Sequence, residues 1–412
     1  MTTNDIAILR DLAERYTAIC NKPVMNERRA LWRRHNSLKR TRPLIYVRAW
    51  AWQEMPESEL YCADPFFRHY EDFFRQSLFR DTFDDDFIFE PWVTVNAACV
   101  TPPEGVWGLP VPQTHSDEPR GSYVWDPPLK TEDDLARMHS PHHRIDEAET
   151  ERRLDKLRAA IGDLITINLD RGPAYRMWQG DISTELARLR GLEQMMWDMM
   201  DRPAWLRKLL AHMRDGILRT HDEAERAGDW SLSAHQNQAM PYAEELVDPA
   251  PNSGPVARQD LWYFAASQET TAVGPRQFDE FMFQYQLPIM KPFGLVAYGC
   301  CEDLTRKIDV LRQLPNLRRI AISPMANVAK CAAQIKQDYV LSYRPSPSDM
   351  VGYGFRPDFI RDRLTRDLEA CGDCHVDITL KDVETVQGDP DRVRRWVEIT
   401  REVIARVFVG DM

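Results

Sequence analysis

Short apolar runs alternate with longer amphipathic segments along most of this chain. The apolar runs predict nine strands, at residues 44–50, 87–95, 164–169, 230–235, 261–266, 295–298, 319–322, 339–343 and 375–380. The amphipathic segments between them predict helices, among them 184–200, 204–227, 275–292, 305–314 and 357–370. Strands that alternate with helices predict a parallel sheet with right-handed crossovers.

Eight strand–helix units close a (β/α)8 TIM barrel, and the chain offers nine candidate strands. We therefore expect one of the two candidates near Trp230 and Leu261 to lie in an insertion, which the proline-rich stretch 241–255 supports. The predicted fold is α/β: a barrel over residues 43–412, preceded by an N-terminal helical extension over residues 1–42. The alternative is an open doubly wound sheet, but no Gly-rich phosphate loop follows a first strand.

Composition narrows the class of protein. The 412 residues carry a formal net charge of −11, which argues against nucleic-acid binding because phosphate contacts need a basic surface. No apolar run approaches the roughly 18 residues that cross a bilayer, and the first residues lack the pattern of an export signal. We expect a cytoplasmic protein whose eight cysteines are thiols or ligands rather than disulfides.

Polar residues crowd the predicted strand ends. In a barrel the chemistry lies at the carboxyl ends of the strands, so these positions are the candidates for function. They are Trp50, Trp52, Glu54, Glu90, Asp170, Arg171, His235, Gln236, Gln268, Glu269, Cys300, Cys301, Glu302, Ser323, Arg344, Lys381 and Asp382.

Six segments, in this order, resemble the uroporphyrinogen decarboxylase superfamily over residues 42–408. They are 86–90, the second-strand segment; 128–135, similar to "P-x-K-T-x-E-D-L"; 164–173, a strand ending in Gly-Pro; 274–288, similar to "S-P-x-x-F…P-Y"; 295–300, where relatives read His-x-Cys-Gly; and 381–393, similar to "G-H-G…T-P-x-E-N-V". The resemblance implies a barrel and a homodimer with active-site mouths near the interface.

The resemblance also separates two activities. Decarboxylases of the superfamily hold substrate carboxylates with an Arg-rich loop, whereas the matching first strand here carries only Arg48. Zinc methyltransferases of the superfamily bind their metal through His-x-Cys and a later Cys. In this chain Tyr298 stands at the His, Cys300 at the first Cys and Asp382 near the later one. Corrinoid-linked demethylases use the same barrel with varied ligands, and these departures fit them best.

From the strand ends and the resemblance we predict three sets of site residues. The catalytic set is Cys300, Glu302, Glu269 and His235; the substrate-binding set is Arg171, Trp52 and Gln268; the metal set is Cys300, Asp382 and His235. Zinc is the expected metal and would deprotonate a coordinating cysteine outright. Without metal, we expect Glu302 to raise the pKa of Cys300. Because adjacent strand residues point to opposite sides, only one of Cys300 and Cys301 is expected to face the pocket.

Structural roles are the alternatives for the same residues. The two cysteines can be packing thiols, His235 a hydrogen-bonded loop residue, Glu269 a solvated carboxylate, Asp382 an ion-pair partner of Lys381 or Arg392, and Arg171 a partner of Asp170. The run 371–375 spells the haem-attachment pattern C-x-x-C-H, but haem attachment needs export, so we predict a helix-to-strand turn with Gly372 as its cap.

The function expected from the resemblance is a methyltransferase or demethylase that moves a methyl group between a small substrate and a corrinoid. A partner protein would carry the corrinoid, since no Asp-x-His-x-x-Gly run is present. Two alternatives stay open: a decarboxylase of a porphyrinogen-like acid, which is a lyase, and a tetrapyrrole- or corrinoid-binding protein without turnover.

Overall fold

The computed structural model describes residues 3–48, 50–118 and 121–408. Its helices are α1 (Thr3–Cys20), α2 (Val24–Asn36), α3 (Pro65–Arg80), α4 (Glu147–Ile161), α5 (Ser183–Arg190), α6 (Leu192–Asp201), α7 (Pro203–Ala227), α8 (Pro275–Phe278), α9 (Gln284–Met290), α10 (Ile308–Leu311), α11 (Val328–Ile335), α12 (Pro357–Cys371) and α13 (Arg392–Val407). A π-helical turn, Asp279–Phe283, joins α8 to α9. In this part of the chain no helix combines the length and apolar character that a bilayer crossing requires.

The strands are β1 (Leu44–Val47), β2 (Trp92–Asn96), β3 (Gln113–His115), β4 (Tyr123–Trp125), β5 (Thr166–Asp170), β6 (Trp262–Ala265), β7 (Leu295–Tyr298), β8 (Leu317–Ile322), β9 (Val340–Tyr343) and β10 (His375–Leu380). Six of them form a curled parallel sheet in the order β1-β10-β9-β8-β7-β6. β2 and β5 form a second, parallel pair, and β3 and β4 form an antiparallel hairpin that the sequence analysis did not predict.

The predicted closed barrel is confirmed in part. Eight strands lie in parallel ladders, six in one sheet and two in the other, but within the described residues no ladder joins β1 to β2 or β5 to β6. Irregular backbone bridges the first interval, where Asp86 N donates to Ile45 O over 2.8 Å. At the second interval, Asn252 N donates to Asn168 Oδ1 over 2.8 Å.

The predicted strand at residues 230–235 is wrong, and the strand in this region is β6. Residues 230–235 have no strand geometry, although their apolar pattern is strand-like. Trp230 packs against His221 of α7 and donates from Nε1 to its backbone oxygen, so the tryptophan is buried in the helical layer instead of pairing in a sheet. The stretch up to Arg258 is the expected insertion between β5 and β6.

The two faces of the six-stranded sheet differ. Alternate residues such as Ile45, Ile320 and Ile378 pack against the helices in one large apolar core. The other face carries charge: Arg319 donates to Asp377 over 2.6 Å, and His35 of α2 lies 3.3 Å from the same carboxylate. Helix α2 thus contacts the sheet through a buried hydrogen bond between His35 and Asp377, while the division into an extension (residues 1–42) and a barrel remains a prediction.

Two turns depend on residues that adopt a positive φ. Residues 184–200, predicted as one helix, form α5 and α6 because Gly191, at φ +89°, ends α5. The C-x-x-C-H run is a helix-to-strand turn, as predicted: α12 ends at Cys371, Gly372 has φ +53°, and β10 begins at His375.

Candidate functional site

The candidate site lies beyond the carboxyl ends of β6, β7, β9 and β10. These strands are parallel, so their ends meet at one edge of the sheet, where barrel-like proteins keep their chemistry. The residues that follow them are Ser267 after β6, Cys300 and Cys301 after β7, Arg344 after β9, and Lys381 after β10.

The site is centred on two adjacent cysteines whose sulfur atoms lie 3.7 Å apart. The chain leaves strand geometry before it reaches the two cysteines, so the strand alternation behind the expectation that only one of them faces the pocket does not apply here. Gly299 adopts φ +100°, and a Cβ there would lie 2.7 Å from Leu304 Cδ1, so only glycine fits this turn. Cys300 is buried and Cys301 is exposed, which gives the pair one sheltered and one accessible sulfur.

The peptide that carries Cys300 is fixed on both sides. Its N–H donates to Glu302 Oε2 over 2.7 Å, and Ser267 N donates to Glu302 Oε1 over 2.8 Å. Its carbonyl accepts from Arg344 NH1 over 2.9 Å. Burial raises the pKa of Glu302, and both of its oxygens are engaged with backbone, so this carboxyl group positions the thiols and ties the loop after β6 to the loop after β7.

A buried ammonium group stands against the pair. Lys381 Nζ lies 3.1 Å from Cys301 Sγ and also contacts Asp382 Oδ2, and that oxygen is 3.9 Å from the same sulfur. Asp382 holds a left-handed backbone conformation at φ +58°, which costs energy for a residue with a side chain. Such strain is concentrated at functional sites, which supports a role for this strand end.

The two thiols ionise as a unit, and the first proton is lost easily. The pKa of Cys300 is lowered, first because Cys301 donates a hydrogen bond to its sulfur, and then because Arg344 and Lys381 bring positive charge near it. The pKa of Cys301 is raised, because its proton is held between the two sulfurs. The expectation that Glu302 raises the pKa of Cys300 is therefore wrong. This arrangement gives one thiolate near neutral pH, which is the nucleophilic form of cysteine.

The predicted zinc ligands do not come together. His235 lies before β6, at the amino end of that strand, where its Nδ1 accepts from Trp262 N over 3.2 Å. Burial lowers the pKa of His235 to about 4, so this side chain is neutral and structural in its surroundings. Across residues 3–48, 50–118 and 121–408, no three His, Cys, Asp or Glu side chains are arranged to hold a metal ion. Beside Cys301 and Asp382, the Lys381 ammonium occupies the position that a metal cation would take.

Two other predicted residues lie near the site, just after β6. Glu269 accepts from Ser183 Oγ over 2.7 Å and from Thr184 Oγ1 over 3.2 Å, and Gln268 donates to it over 3.3 Å. The Thr184 hydroxyl also contacts Asp181, a buried carboxyl group whose pKa is raised by burial and by the charge of Glu269. Glu269 thus belongs to a hydroxyl-rich carboxyl cluster beside the thiol loop.

The remaining predicted substrate contacts are engaged elsewhere. Arg171 donates to Asp229 over 2.5 Å and to Glu147 over 2.7 Å, so it is a structural ion-pair residue; Asp170, its predicted partner, binds Arg176 instead. Trp52 donates from Nε1 to Asp72 of α3 over 2.7 Å.

The site also includes residues that the predicted sets omitted. Lys381 and Arg344 were recognised only as strand-end residues, and nothing in the sequence indicated that they contact the cysteines. Gln238, from the insertion, lies beside the Cys300 sulfur, beyond the geometry of a well-formed hydrogen bond. The amide atoms of Gln238 and the hydroxyl oxygen of Ser323 are buried without a partner in the described structure. Such groups favour a polar ligand at this position.

Comparison with known proteins leaves the family open. No family model matches this chain, and no curated protein matches it. Among solved structures, a methyltransferase from Methanosarcina mazei is similar, with a TM-score of 0.49, 12% identity, and coverage of 91% of this chain and 97% of that one. A likeness of this strength establishes neither the family nor the activity.

Proposed function

We propose that this protein is a methyltransferase in which the Cys300–Cys301 pair supplies the nucleophile. The observation that carries the proposal is the dithiol at the end of β7, with sulfur atoms 3.7 Å apart and the Lys381 ammonium 3.1 Å from one of them. An ammonium and a guanidinium near the sulfurs stabilise the thiolate, which is the reactive form. This site needs no further base to generate its nucleophile.

The proposed step is a displacement at a methyl carbon. A sulfur–carbon bond forms, the bond between the methyl group and its carrier breaks, and the electron pair of that bond stays with the carrier. Lys381 and Arg344 hold the sulfur in its ionised form before the step. Glu302 keeps the Cys300 peptide in place, so that the thiolate meets the methyl carbon from a fixed direction.

The carrier that we propose is a corrinoid on a partner protein, which binds a methyl group on cobalt. This part of the proposal rests on the superfamily resemblance of the six segments and on the departures that favour the demethylase branch. Among the described residues zinc has no matching ligand set, so no step is assigned to it, and elemental analysis of the purified protein tests that reading. The homodimer and the cytoplasmic location stay predictions; light scattering at micromolar concentration checks the first.

The test uses methylcobalamin as the methyl donor, under anaerobic conditions in dim light. We expect the absorbance of the methylated corrinoid to fall and peptide mass spectrometry to find a methyl group on Cys300 or Cys301. Single variants Cys300→Ser and Cys301→Ser identify the acceptor, and Cys374→Ser, whose thiol lies in the turn before β10, is the matched control. A methyl group on other cysteines, or none on any, contradicts the proposal.

Two other activities predict different results, one with methylcobalamin and one with methylcobalamin and a porphyrinogen acid in parallel. A corrinoid-binding protein without turnover shifts the corrinoid spectrum on binding but leaves the methyl group on cobalt. A porphyrinogen decarboxylase leaves methylcobalamin unchanged and releases carbon dioxide from a porphyrinogen acid.

A further inference from the structure

A cleft opens between α3 and the irregular segment that leads from α3 to β2. It consists of two cavities of about 320 Å³ and about 290 Å³, which share His69, Phe73, Ser77 and Phe87 in their walls. The first cavity reaches Arg48, just after β1, and the second reaches Trp92 of β2. The two cavities together form a groove that runs from the carboxyl end of β1 along α3.

Aromatic side chains line both cavities. Phe73 projects from α3 and keeps 37% of its surface exposed. Phe87, from the segment before β2, also lines both cavities, with the Arg80 guanidinium 3.6 Å from its ring centroid, and Trp92 lines the second cavity. An exposed aromatic side chain in a cavity wall favours a flat ring, which gains from offset or edge-to-face contacts.

Hydrogen-bond donors without acceptors lie at the first cavity, near the carboxyl end of β1. Arg48 makes no side-chain hydrogen bond or ion pair with the described residues. Trp50 Nε1 and Arg80 Nε are buried and have no acceptor there either. Buried donors are nearly always satisfied in folded proteins, so an unpaired cluster in a cavity wall indicates that a ligand accepts from it.

The charges around the cleft leave one cation for a ligand. Arg80 is neutralised by Asp85 at 2.7 Å. Asp72, in the wall of the first cavity, accepts from Trp52 and from Gln76, each over 2.7 Å; these neutral donors occupy one contact on each of its oxygens and do not cancel its charge. The Arg48 guanidinium has no ion pair with the described residues, and its planar fork suits a single carboxylate.

We propose that this cleft binds a planar aromatic monocarboxylate, with the ring against Phe73 and the carboxylate on Arg48 and Trp50 Nε1. Size agrees with this ligand, since an apolar cavity of about 150 Å³ holds benzene. Arg48 N donates to Leu380 O over 2.8 Å, which places the anion end beside the strand that leads to Lys381. The inference concerns binding only and does not depend on the proposed methyl transfer.

Isothermal titration with benzoate tests the site, with benzamide, cyclohexanecarboxylate and acetate as comparison ligands. We expect saturable benzoate binding that weakens at least tenfold in Arg48→Met and in Phe73→Ala. Arg276→Met is the matched control, because that exposed arginine of α8 also lacks a side-chain ion pair among the described residues. Each variant is first checked for an unchanged thermal midpoint, and Arg48→Lys, which keeps the charge, should recover part of the affinity.

Each outcome decides one part of the proposal. Benzamide binding as tightly as benzoate overturns the carboxylate subsite, and cyclohexanecarboxylate or acetate binding as tightly overturns the aromatic one. Absence of benzoate binding at millimolar concentration, or equal binding by Arg48→Met and the control, overturns the whole inference. Benzoate affinity should be unchanged in Cys300→Ser, so failure here is distinct from failure of the methyl-transfer proposal.

Discussion

Replacing Lys381 by Met removes the positive charge that touches the thiol pair and keeps a side chain of similar length. In the structure, Lys381 Nζ lies 3.1 Å from Cys301 Sγ and its side chain is almost fully buried. Without it, the dithiol loses its nearest stabilising charge, while Arg344 still holds the Cys300 carbonyl. We therefore expect the first pKa of the pair to rise toward that of an ordinary cysteine, about 8.5.

The size of this rise follows from Coulomb's law. Over 3.1 Å, the distance from Lys381 Nζ to Cys301 Sγ, two unit charges attract by about 1.3 kcal/mol in bulk water and by about 5 kcal/mol at an effective dielectric constant of about 20. These values are upper limits, because the first negative charge lies mainly on Cys300 while Cys301 keeps the shared proton. One pKa unit corresponds to about 1.4 kcal/mol, so these limits equal a pKa change of about 1 to about 4. Cys301 is exposed and Asp382 partly neutralises the ammonium, so we expect the low end, about 1 to 2.

The assay is the pH dependence of iodoacetamide labelling, read at the peptide that carries both cysteines by mass spectrometry. The wild-type rate should reach half its maximum at a pH below 8.5, and the Lys381→Met profile should move upward by about 1 to 2 pH units. Lys381→Arg, which keeps the charge, should stay near wild type, as should Lys330→Met on the exposed side of α11. Identical profiles for wild type and Lys381→Met would refute the reasoning.

Three further predictions concern stability. Glu302→Gln places an amide donor against a backbone N–H that has an acceptor in the wild type. The free energy of unfolding in urea should therefore fall by about 1–3 kcal/mol. Unchanged stability contradicts this role of Glu302. Asp377→Ala leaves Arg319 buried and unpaired, and the same assay should show a loss of about 3–5 kcal/mol, against little change for the exposed Asp373→Ala. Burial lowers the pKa of His221 to about 3, so the unfolded state binds the extra proton, and stability falls as pH drops from about 6.5 toward 3. His221→Gln should reduce that slope by up to about 1.4 kcal/mol per pH unit, and an unchanged slope rules out His221 as its source.

The strand pattern was readable from sequence because buried strands are continuous apolar runs bounded by turns. The error at residues 230–235 shows the limit of this signal: Trp230 and Leu232 are buried, but the first is buried against a helix. Over so short a run, the pattern of apolar residues indicates that the segment is buried but does not tell whether a sheet or a helix covers it. The helix break at Gly191 could not be predicted for a similar reason. The helical pattern of apolar residues continues on both sides of this position, and only its positive φ, which favours glycine, ends α5 there.

Only part of the candidate site could be predicted from the sequence. Cys300 and Asp382 were found from their places at predicted strand ends and from the resemblance. Their partners are distant in sequence: Arg344 lies 44 residues and Lys381 80 residues from the cysteines that they contact. Sheet order and register decide which strand ends meet, and that information is absent from local pattern. His235 was misplaced because residues 230–235 were assigned to a strand of their own, which put His235 at a carboxyl strand end, whereas it lies at the amino end of β6.

The central claim is that function depends on the thiol pair after β7, and one comparison of double variants tests it most directly. Cys300→Ala/Cys301→Ala and Cys371→Ala/Cys374→Ala each remove two neighbouring thiols, the first pair from the candidate site and the second from the turn before β10. The measurement is the rate at which methylcobalamin loses its methyl group. We predict a loss of at least a hundredfold for the first variant and a rate within about twofold of wild type for the second. Equal rates for the two variants would contradict the account.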